Sequence, residues 1–427
     1  MKNFYKFQFL VILLTSTISF SQSFTNGVFV TNEGGFGASN ATLSFISNAN
    51  VLQNNIFATA NSGAALGDTA QSMFFEGSKA YIIMNVSGTI KVVNRTTMVL
   101  ETTITGFVNP RYMASFDGKL YVTCWGDPAV TTDDQIKVID IATNTITGNF
   151  SVPEGPENIV LNNGLLYIAQ KGGYGFGSTV SILNPSTSTF STPITVGDVP
   201  TSLEINDGFL YILSSGKPDY SGSETFGSLV KYDLSTNAIT NTISFATTHP
   251  KNLKIVGSDL YYIINKSVHK SSISDISLPN TSLFNTTPQG AYGIYAFNVI
   301  DDVLFVADAG DYTTAGKVYT YSTTGSLLNS FTVGVTPSGF YKADTNLANA
   351  TFTNDLAISL YPNPTSDKFY LNINDEASIS VIDMSGRIVL NQKYSQNGIE
   401  ISTLKPSVYL VSIESNGKKR VKYLSVK

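Results

Sequence analysis

Short apolar strands with an aromatic and aliphatic start recur along most of the chain. They begin at residues 28, 80, 120, 166, 210, 260 and 304, so successive units lie 40 to 52 residues apart. LYVTCWGD from Leu120 and LYILSSGK from Leu210 are typical. Such short runs, rich in β-branched and aromatic residues, predict strands rather than helices. Seven units at this spacing predict the four-stranded blades of a β-propeller.

Each later unit contains four strands, which we label a to d in chain order. Strand a precedes the aromatic and aliphatic strand b, as in PRYMASF (110–116) and PTSLEIN (200–206), and strands c and d follow as in IKVIDI and ITGNFSV. The first unit lacks strand a because Gly27 already starts its strand b. PSGFYKAD (337–344), after the seventh unit, has the form of a strand a. We therefore expect residues 337–342 to complete the first blade, which closes the ring and leaves no long sheet edge.

The glycine-rich stretch QKGGYGFGS (170–178) has the composition of a phosphate-binding loop. Such a loop needs a strand before it and a helix N-terminus after it. The preceding LLYIA predicts a strand, but the following TVSILN alternates, is β-branched and predicts another strand. The stretch is therefore expected to be a b–c loop that presents Lys171, Tyr174 and Phe176.

Composition and charge narrow the possible partners. Charged residues make up 13% of the chain, against roughly 25% in ordinary soluble proteins. The net charge of −5 and the lack of a Lys/Arg stripe argue against nucleic acid as a partner. Cys124 is the sole cysteine, which excludes an intramolecular disulfide, and its place in strand LYVTCW predicts a packed core residue.

The two ends of the chain predict export. MKNFYKFQFLVILLTSTISFSQ has the lysines, apolar run and small residues of a secretory signal peptide over residues 1–22, and no cysteine for a lipid anchor stands at the expected cleavage point. No other apolar run reaches the roughly 18 residues that span a bilayer. We expect a propeller over 23–344, a polar linker over 345–357 and a further domain over 358–427.

The repeats resemble a known group of propellers. FVTN (29–32), YVTC (121–124) and IKVIDIATNTITGNFSV (136–152) resemble YVTN-type bacterial propeller repeats, and the resemblance covers residues 27–344. VTNEGGFGASNATLSF, LGDTAQSM, IKVVN and VNPRYMA are similar to cell-surface propellers of Bacteroidota, among which are the outer-membrane vitamin B12 (corrinoid) capture proteins. The resemblance implies an all-β, seven-bladed fold, a corrinoid or similar nutrient as ligand, and an outer-membrane transporter as a partner.

The C-terminal segments resemble a secretion signal domain. YPNP, a V-x-D-x-x-G-R turn, a Y-L-V strand and a final basic V-K occur in the order typical of the type IX secretion system sorting domain of Bacteroidota, over residues 358–427. The resemblance implies a small immunoglobulin-like β-sandwich and handling by the type IX machinery. It also implies removal of the tail and release of the protein, or its attachment at the outer-membrane surface.

A ligand site is expected on one face of the ring, which we call the b–c face because the b–c loops and d–a connections emerge there. Rigid aromatic rings among amides and charges suit flat or ring-shaped ligands. The candidate ligand-binding residues on this face are Arg111, Tyr112, Trp125, Asn158, Lys171, Tyr174, Phe176, Tyr220, Asn252, Tyr292 and Tyr312.

Three classes of function stay open: a binding protein for a nutrient or glycan, a propeller enzyme of the lactonase or lyase type, and an adhesive scaffold. Two histidines exclude a His-rich metal site, and G-x-S-x-G and H-E-x-x-H motifs are absent. An enzyme of this type would use Glu157, Arg111 and His249. We expect a non-catalytic binding propeller with no metal or resident cofactor, and a corrinoid is the first ligand to test.

Overall fold

The computed structural model describes residues 23–275, 277–278, 281–343, 360–373, 377–383, 387–415 and 418–427. The expected signal peptide (1–22) and linker (345–357) lie outside the described residues. The chain divides into two compact units, one up to residue 351 and one from residue 352. Within the described ranges, no helix has the length and apolar character needed to cross a membrane.

Antiparallel strands of four-stranded sheets build the first unit. The strands of its first four sheets are β1 (Gly27–Asn32), β2 (Thr42–Ser47), β3 (Leu52–Gln53), β4 (Ala70–Glu76), β5 (Lys79–Met84), β6 (Thr89–Asn94), β7 (Leu100–Thr105), β8 (Pro110–Phe116), β9 (Lys119–Cys124), β10 (Gln135–Asp140), β11 (Thr145–Ser151), β12 (Pro156–Asn162), β13 (Leu165–Gln170), β14 (Thr179–Asn184) and β15 (Thr189–Thr195).

The remaining sheets of this unit follow the same plan. Their strands are β16 (Pro200–Asn206), β17 (Phe209–Ser214), β18 (Ser228–Asp233), β19 (Ala238–Ser244), β20 (Lys251–Val256), β21 (Asp259–Ile264), β22 (Ser267–Ser272), β23 (Phe284–Asn285), β24 (Ala296–Ile300), β25 (Val303–Asp308), β26 (Ala315–Ser322), β27 (Leu327–Val335) and β28 (Pro337–Ala343). Strands a, b, c and d are neighbours in that order in every sheet, and the described strands form seven such sheets. These repeated sheets are the arrangement of a propeller, and the all-β prediction is confirmed.

The first strands of successive sheets contact one another around a ring. In chain order these strands are β4, β8, β12, β16, β20, β24 and β28. Each contacts the one that follows it, and β28 also contacts β4. Side chains join neighbouring strands: Ser72 Oγ donates to the carbonyl oxygen of Arg111 at 2.7 Å, and Asn158 Oδ1 accepts from the amide of Leu203 at 3.1 Å. These bonds fix the ring at the level where strand a begins.

The two ends of the repeat complete one sheet. β28 pairs with β1 antiparallel, with Val28 opposite Lys342 and Val30 opposite Phe340. Phe340 is buried, and its ring centroid lies 5.5 Å from that of Phe305 in the next sheet. The predicted pairing of residues 337–342 with the first sheet is confirmed.

Asn and Asp residues set the turns between strands c and d. Asp140 Oδ1 accepts from the amide of Thr143 at 2.8 Å and from its hydroxyl at 2.9 Å, and Asn144 then takes a positive φ of 53°. Asn184 and Asp233 accept in the same way in later sheets. Short polar side chains that bond to the backbone favour such turns, which is why the turn motif recurs in the sequence.

Two outer strands are shorter than the repeat predicts. β3 and β23 have two residues each, and the helix α1 (Ile56–Ala60) follows β3. Ile56 and Phe57 are 1% exposed and pack in the core of the first sheets. An all-strand reading of the unit missed α1 because the segment IFATA is too short for its apolar pattern to separate helix from strand.

The second unit holds two sheets around one core. β29 (Leu360–Tyr361), β30 (Lys368–Leu371) and β33 (Ile399–Glu400) form one sheet, and β31 (Ser378–Ile382), β32 (Ile388–Lys393), β34 (Ser407–Ser415) and β35 (Lys418–Val426) form the other. Phe369 and Ile399 from the first sheet share the core with Ile379 and Val411 from the second. Within the V-x-D-x-x-G-R motif, Asp383 Oδ1 accepts from the Arg387 amide at 3.1 Å, and residues 384–386 of the predicted turn lie outside the described residues.

Candidate functional site

A β-bulge at the start of strand a turns consecutive polar side chains toward the ring centre. In β8, Pro110 pairs with Cys124 and Met113 pairs with Val122, so Arg111 and Tyr112 lie between two paired positions. Register shifts occur at the equivalent place in β4, β12, β16, β20 and β28. Bulges of this kind redirect side chains and are common next to functional sites.

The positions equivalent to Arg111 are mostly polar. By strand register they hold Gln71, Glu157, Thr201, Lys251, Tyr295 and Ser338. Nonpolar residues such as Met113 and Leu203 follow two positions later and are buried in the core. Most of these strands therefore place a polar group at the ring centre, and the apolar residue two positions later anchors it in the core.

These strands enclose a cavity of about 580 Å³, which we call the central cavity. That volume lies within the range of about 300–1,000 Å³ typical of small-molecule pockets. Six predicted site residues line it, namely Arg111, Tyr112, Trp125, Asn158, Tyr174 and Asn252. The structure therefore brings together about half of the predicted set.

Arg111 is the centre of a buried charged network. Its Nη2 and Nε donate to the two carboxylate oxygens of Glu157 at 2.8 and 3.0 Å, and its Nη1 donates to Gln71 Oε1. The side chains of Arg111 and Glu157 are 15% and 7% exposed. Burial acts to raise the pKa of Glu157, but Arg111 and Lys171 together hold it below its usual value. Both groups are therefore charged at neutral pH.

Trp125 packs against two cations. The guanidinium carbon of Arg111 lies 4.2 Å from the Trp125 ring centroid, and Lys171 Nζ lies 4.9 Å from it. The Tyr174 ring meets Trp125 edge-on at 5.7 Å, and the indole nitrogen donates to the Pro156 carbonyl at 3.1 Å. These two cations cover part of the Trp125 ring, and the role of Trp125 in ligand binding stays a prediction. Its contacts hold Arg111 and Tyr174 in place.

A second acidic group faces the cavity from another sheet. Tyr295 Oη donates to Glu33 Oε2 at 2.9 Å, and both residues line the central cavity. Burial raises the pKa of Glu33, although the Tyr295 hydrogen bond and the Arg111 charge act to lower it. Tyr295 was missed as a site residue because it precedes β24. Aligning it with Arg111 by strand register would have found it.

The glycine-rich loop between β13 and β14 folds against the start of β12. Lys171 N donates to the Gly155 carbonyl at 2.9 Å, and a Cβ on Gly155 would lie 1.6 Å from the backbone nitrogen of Gly173. Only glycine allows this close approach of the two backbones. No helix follows the loop, since β14 begins at Thr179. The prediction of a b–c loop rather than a phosphate loop is confirmed.

Other predicted site residues lie outside the central cavity. Phe176 and Tyr220 do not line this cavity, and Tyr220 is 84% exposed on a single 3₁₀ turn, Asp219–Ser221. Both belong to b–c loops, and in the loop of Phe176 it is Tyr174 that lines the central cavity. His249 contacts Glu224 at 3.2 Å and the Ser215 carbonyl at 2.9 Å instead of joining Arg111 and Glu157.

Tyr292 and Tyr312 line a second cavity of about 450 Å³, which we call the lateral cavity. It lies on the b–c face between the sheets of β20–β23 and β24–β27. Lys251, Lys266 and Asp308 also line it, and Tyr295 lines both cavities. The face on which the sequence predicted a ligand site therefore carries two adjoining cavities. Among the described residues, no group of three or more His, Cys, Asp or Glu side chains could hold a metal ion.

Folding disfavours the charged form of the Asp134 side chain, so the stability of the protein should depend on pH. It is 1% exposed; Oδ1 accepts from the Gly155 amide at 2.7 Å, and Oδ2 has no hydrogen-bond partner among the described residues. Burial, together with the charges of Asp133 and Glu154, raises its pKa to about 6. Because this value exceeds the unfolded value of about 3.9, stability should fall by up to about 1.4 kcal/mol per pH unit between pH 4 and 6.

Replacing Asp134 by Asn should remove this loss. We expect Asp134→Asn to raise the thermal midpoint at pH 7 and to flatten its dependence on pH between 4 and 6, measured by circular dichroism. Asp127→Asn, an exposed position in the same loop, is the control. An unchanged pH profile in Asp134→Asn would show that Asp134 is not the source of the effect.

Two family models match the chain. Residues 26–341 match the family described as "Domain of unknown function (DUF5074)", and residues 359–427 match the "Secretion system C-terminal sorting domain". The sorting domain directs the protein through the type IX system to the cell surface or the extracellular space. Comparison with curated proteins gives no match.

Solved structures share the fold at low sequence identity. A quinonprotein alcohol dehydrogenase-like protein from Bacteroides thetaiotaomicron has 15% identity and a TM-score of 0.58, over 75% of this chain and 79% of its own. A functionally unknown protein from Desulfotomaculum acetoxidans has 12% identity and a TM-score of 0.56, over 75% of this chain and 99% of its own. These likenesses show the fold alone.

Proposed function

Because the chain belongs to the DUF5074 family and ends in a secretion-system sorting domain, we propose that its mature form is an exported seven-bladed propeller that captures a small or medium-sized ligand without transforming it. The seven four-stranded sheets and their closure through β28 support the blade number. The two sheets of the second unit around one core support an immunoglobulin-like sandwich.

The central cavity is the observation that carries this proposal. Its polar lining comes from the bulged starts of several strands, and Tyr174 and Phe36 stand exposed beside it. Arg111 and Glu157 satisfy each other, so neither is placed as a free acid or base. An arrangement that is already paired without a ligand favours recognition by shape and peripheral hydrogen bonds over general acid–base chemistry.

A corrinoid is the first ligand to test, because the sequence resembles that of the corrinoid capture propellers. A corrinoid is a large disc with amide groups around its edge. It would lie across the mouth, where Tyr174 and Phe36 offer apolar surface, while Asn158 and Asn252 line the cavity beneath. The outer-membrane transporter stays a proposed partner on the same ground.

Titration with cyanocobalamin tests the proposal. We expect saturable heat by calorimetry and a change in the visible spectrum at micromolar protein concentration. Tyr174→Ala should weaken binding by about 1–3 kcal/mol, as removal of a buried interface ring does. Tyr220→Ala, which removes a ring that lines neither cavity, should leave affinity unchanged.

Two results would contradict the assignment in different ways. An absence of heat and spectral change would remove the corrinoid, and glycans would then be titrated next. Binding that weakens in Tyr220→Ala but not in Tyr174→Ala would place the ligand away from the central cavity.

A further inference from the structure

We propose that the lateral cavity is a second binding site, separate from the central cavity, for a sugar ring that carries a carboxylate, such as a hexuronic acid. The cavity combines a lysine that pairs with no carboxylate of the described residues, two exposed tyrosines and hydrogen-bonding groups within about 450 Å³. This inference does not depend on the ligand of the central cavity.

Lys251 supplies the charge that would hold a carboxylate. It occupies the same position of strand a as Arg111, which is paired with Glu157. No described carboxylate pairs with the Lys251 ammonium, although the side chain is only partly exposed and faces the cavity. Burial accordingly lowers its pKa, with no opposite charge to offset the effect. A bound carboxylate would restore the charge partner that this position has in β8.

The charges of the other lining residues also favour an anion. Besides Lys251, the charged residues that line the cavity are Lys266 and Asp308. Lys266 Nζ donates to the Ala291 carbonyl at 2.8 Å, and Asp308 Oδ1 accepts from the amides of Tyr292 and Gly310 at 3.2 and 3.1 Å. With Lys251 included, two lysines face one aspartate, which leaves a net charge of about +1 for a monoanion. Asp308 also keeps lone pairs that can accept a sugar hydroxyl.

Two tyrosines provide the apolar surface that a sugar ring needs. Tyr292 and Tyr312 are 72% and 54% exposed. Tyr312 has a φ of 63°, which is rare for an aromatic residue, and its ring meets Tyr295 edge-on at 5.7 Å. Asp311 Oδ1, which accepts from the amides of Thr313 and Thr314, fixes this turn. Such costly backbone geometry is common where a side chain is held for binding.

Titration of the full exported chain with galacturonate tests the site, with galactose as its neutral counterpart. We expect galacturonate to bind with a Kd of about 1 mM or tighter, and galactose to bind at least about tenfold more weakly, which corresponds to about 1.4 kcal/mol. Trp125, the sole tryptophan, lines the central cavity, so its fluorescence should not change.

Variants assign the binding to the lateral cavity. Lys251→Met keeps the length of the side chain and should weaken galacturonate binding about tenfold or more. Tyr312→Asn removes the ring but keeps a residue that tolerates positive φ, and it should also weaken binding. Tyr220→Ala is the control and should bind as the unmodified chain does.

The proposal is overturned by any of three results. These are no saturable binding of galacturonate, equal binding of galactose, or full binding by Lys251→Met. A change in Trp125 fluorescence that follows galacturonate binding would place the sugar in the central cavity and would also overturn it. Loss of cyanocobalamin binding by Tyr174→Ala with galacturonate binding retained would separate the two sites.

Discussion

Ending the propeller chain at Thr336 instead of Ala343 should abolish cooperative folding of the whole first unit. The missing segment is β28, which pairs along β1 and contacts β4 and β24. Phe340 of this strand is 3% exposed, and truncating one buried Phe already lowers the free energy of unfolding by about 3–5 kcal/mol. Because domains are stable by only about 5–15 kcal/mol, loss of the strand and its core residue should leave no folded ring.

Trp125 is the reporter for this experiment because it is the sole tryptophan and directly follows β9, a strand of the third sheet that does not include β28. Chains of residues 23–336 and 23–343 would be unfolded in urea and followed by its fluorescence. The longer chain is the control, and it should show a single sharp transition. A matching transition in the shorter chain would show that the ring does not need closure to fold.

The repeat could be predicted from the sequence because the strands and turns of each sheet are determined by residues close together in the chain. Strand b is almost completely buried, so it appears as an apolar run, and the Asx turn after strand c depends on one residue such as Asp140. Closure through β28 was predictable since its sequence has the form of the strand that the first sheet lacks. These features require only the side-chain period and turn chemistry.

The site was harder to predict because its contacts join different sheets. Arg111 and Glu157 are 46 residues apart, and they meet because the bulges of β8 and β12 lie side by side in the ring. Loop aromatics gave a misleading signal: Tyr220 has a loop position like that of Tyr312, but it stands outside both cavities. Which loop reaches the ring centre depends on its packing, and the sequence pattern does not specify this packing.

Removing one partner of the Arg111–Glu157 pair should strongly destabilise the propeller. Glu157→Gln keeps the shape of the side chain but leaves the guanidinium of Arg111 buried without its carboxylate. Breaking a buried ion pair in this way costs about 3–5 kcal/mol. We expect a loss of this size in the free energy of unfolding, measured in urea at pH 7 by Trp125 fluorescence. The emission of the folded state should also shift, because Arg111 packs on the Trp125 ring.

The double variant Arg111→Met/Glu157→Gln decides whether the loss comes from an uncompensated charge. Removing both charges leaves no unpaired guanidinium at position 111, so the double variant should be more stable than Glu157→Gln alone. If the double variant is instead as unstable as the sum of the two single variants, the side chains stabilise the ring through independent packing. The Gln71 hydrogen bond and the Trp125 stacking, not the ion pair, would then be the main contributions of Arg111.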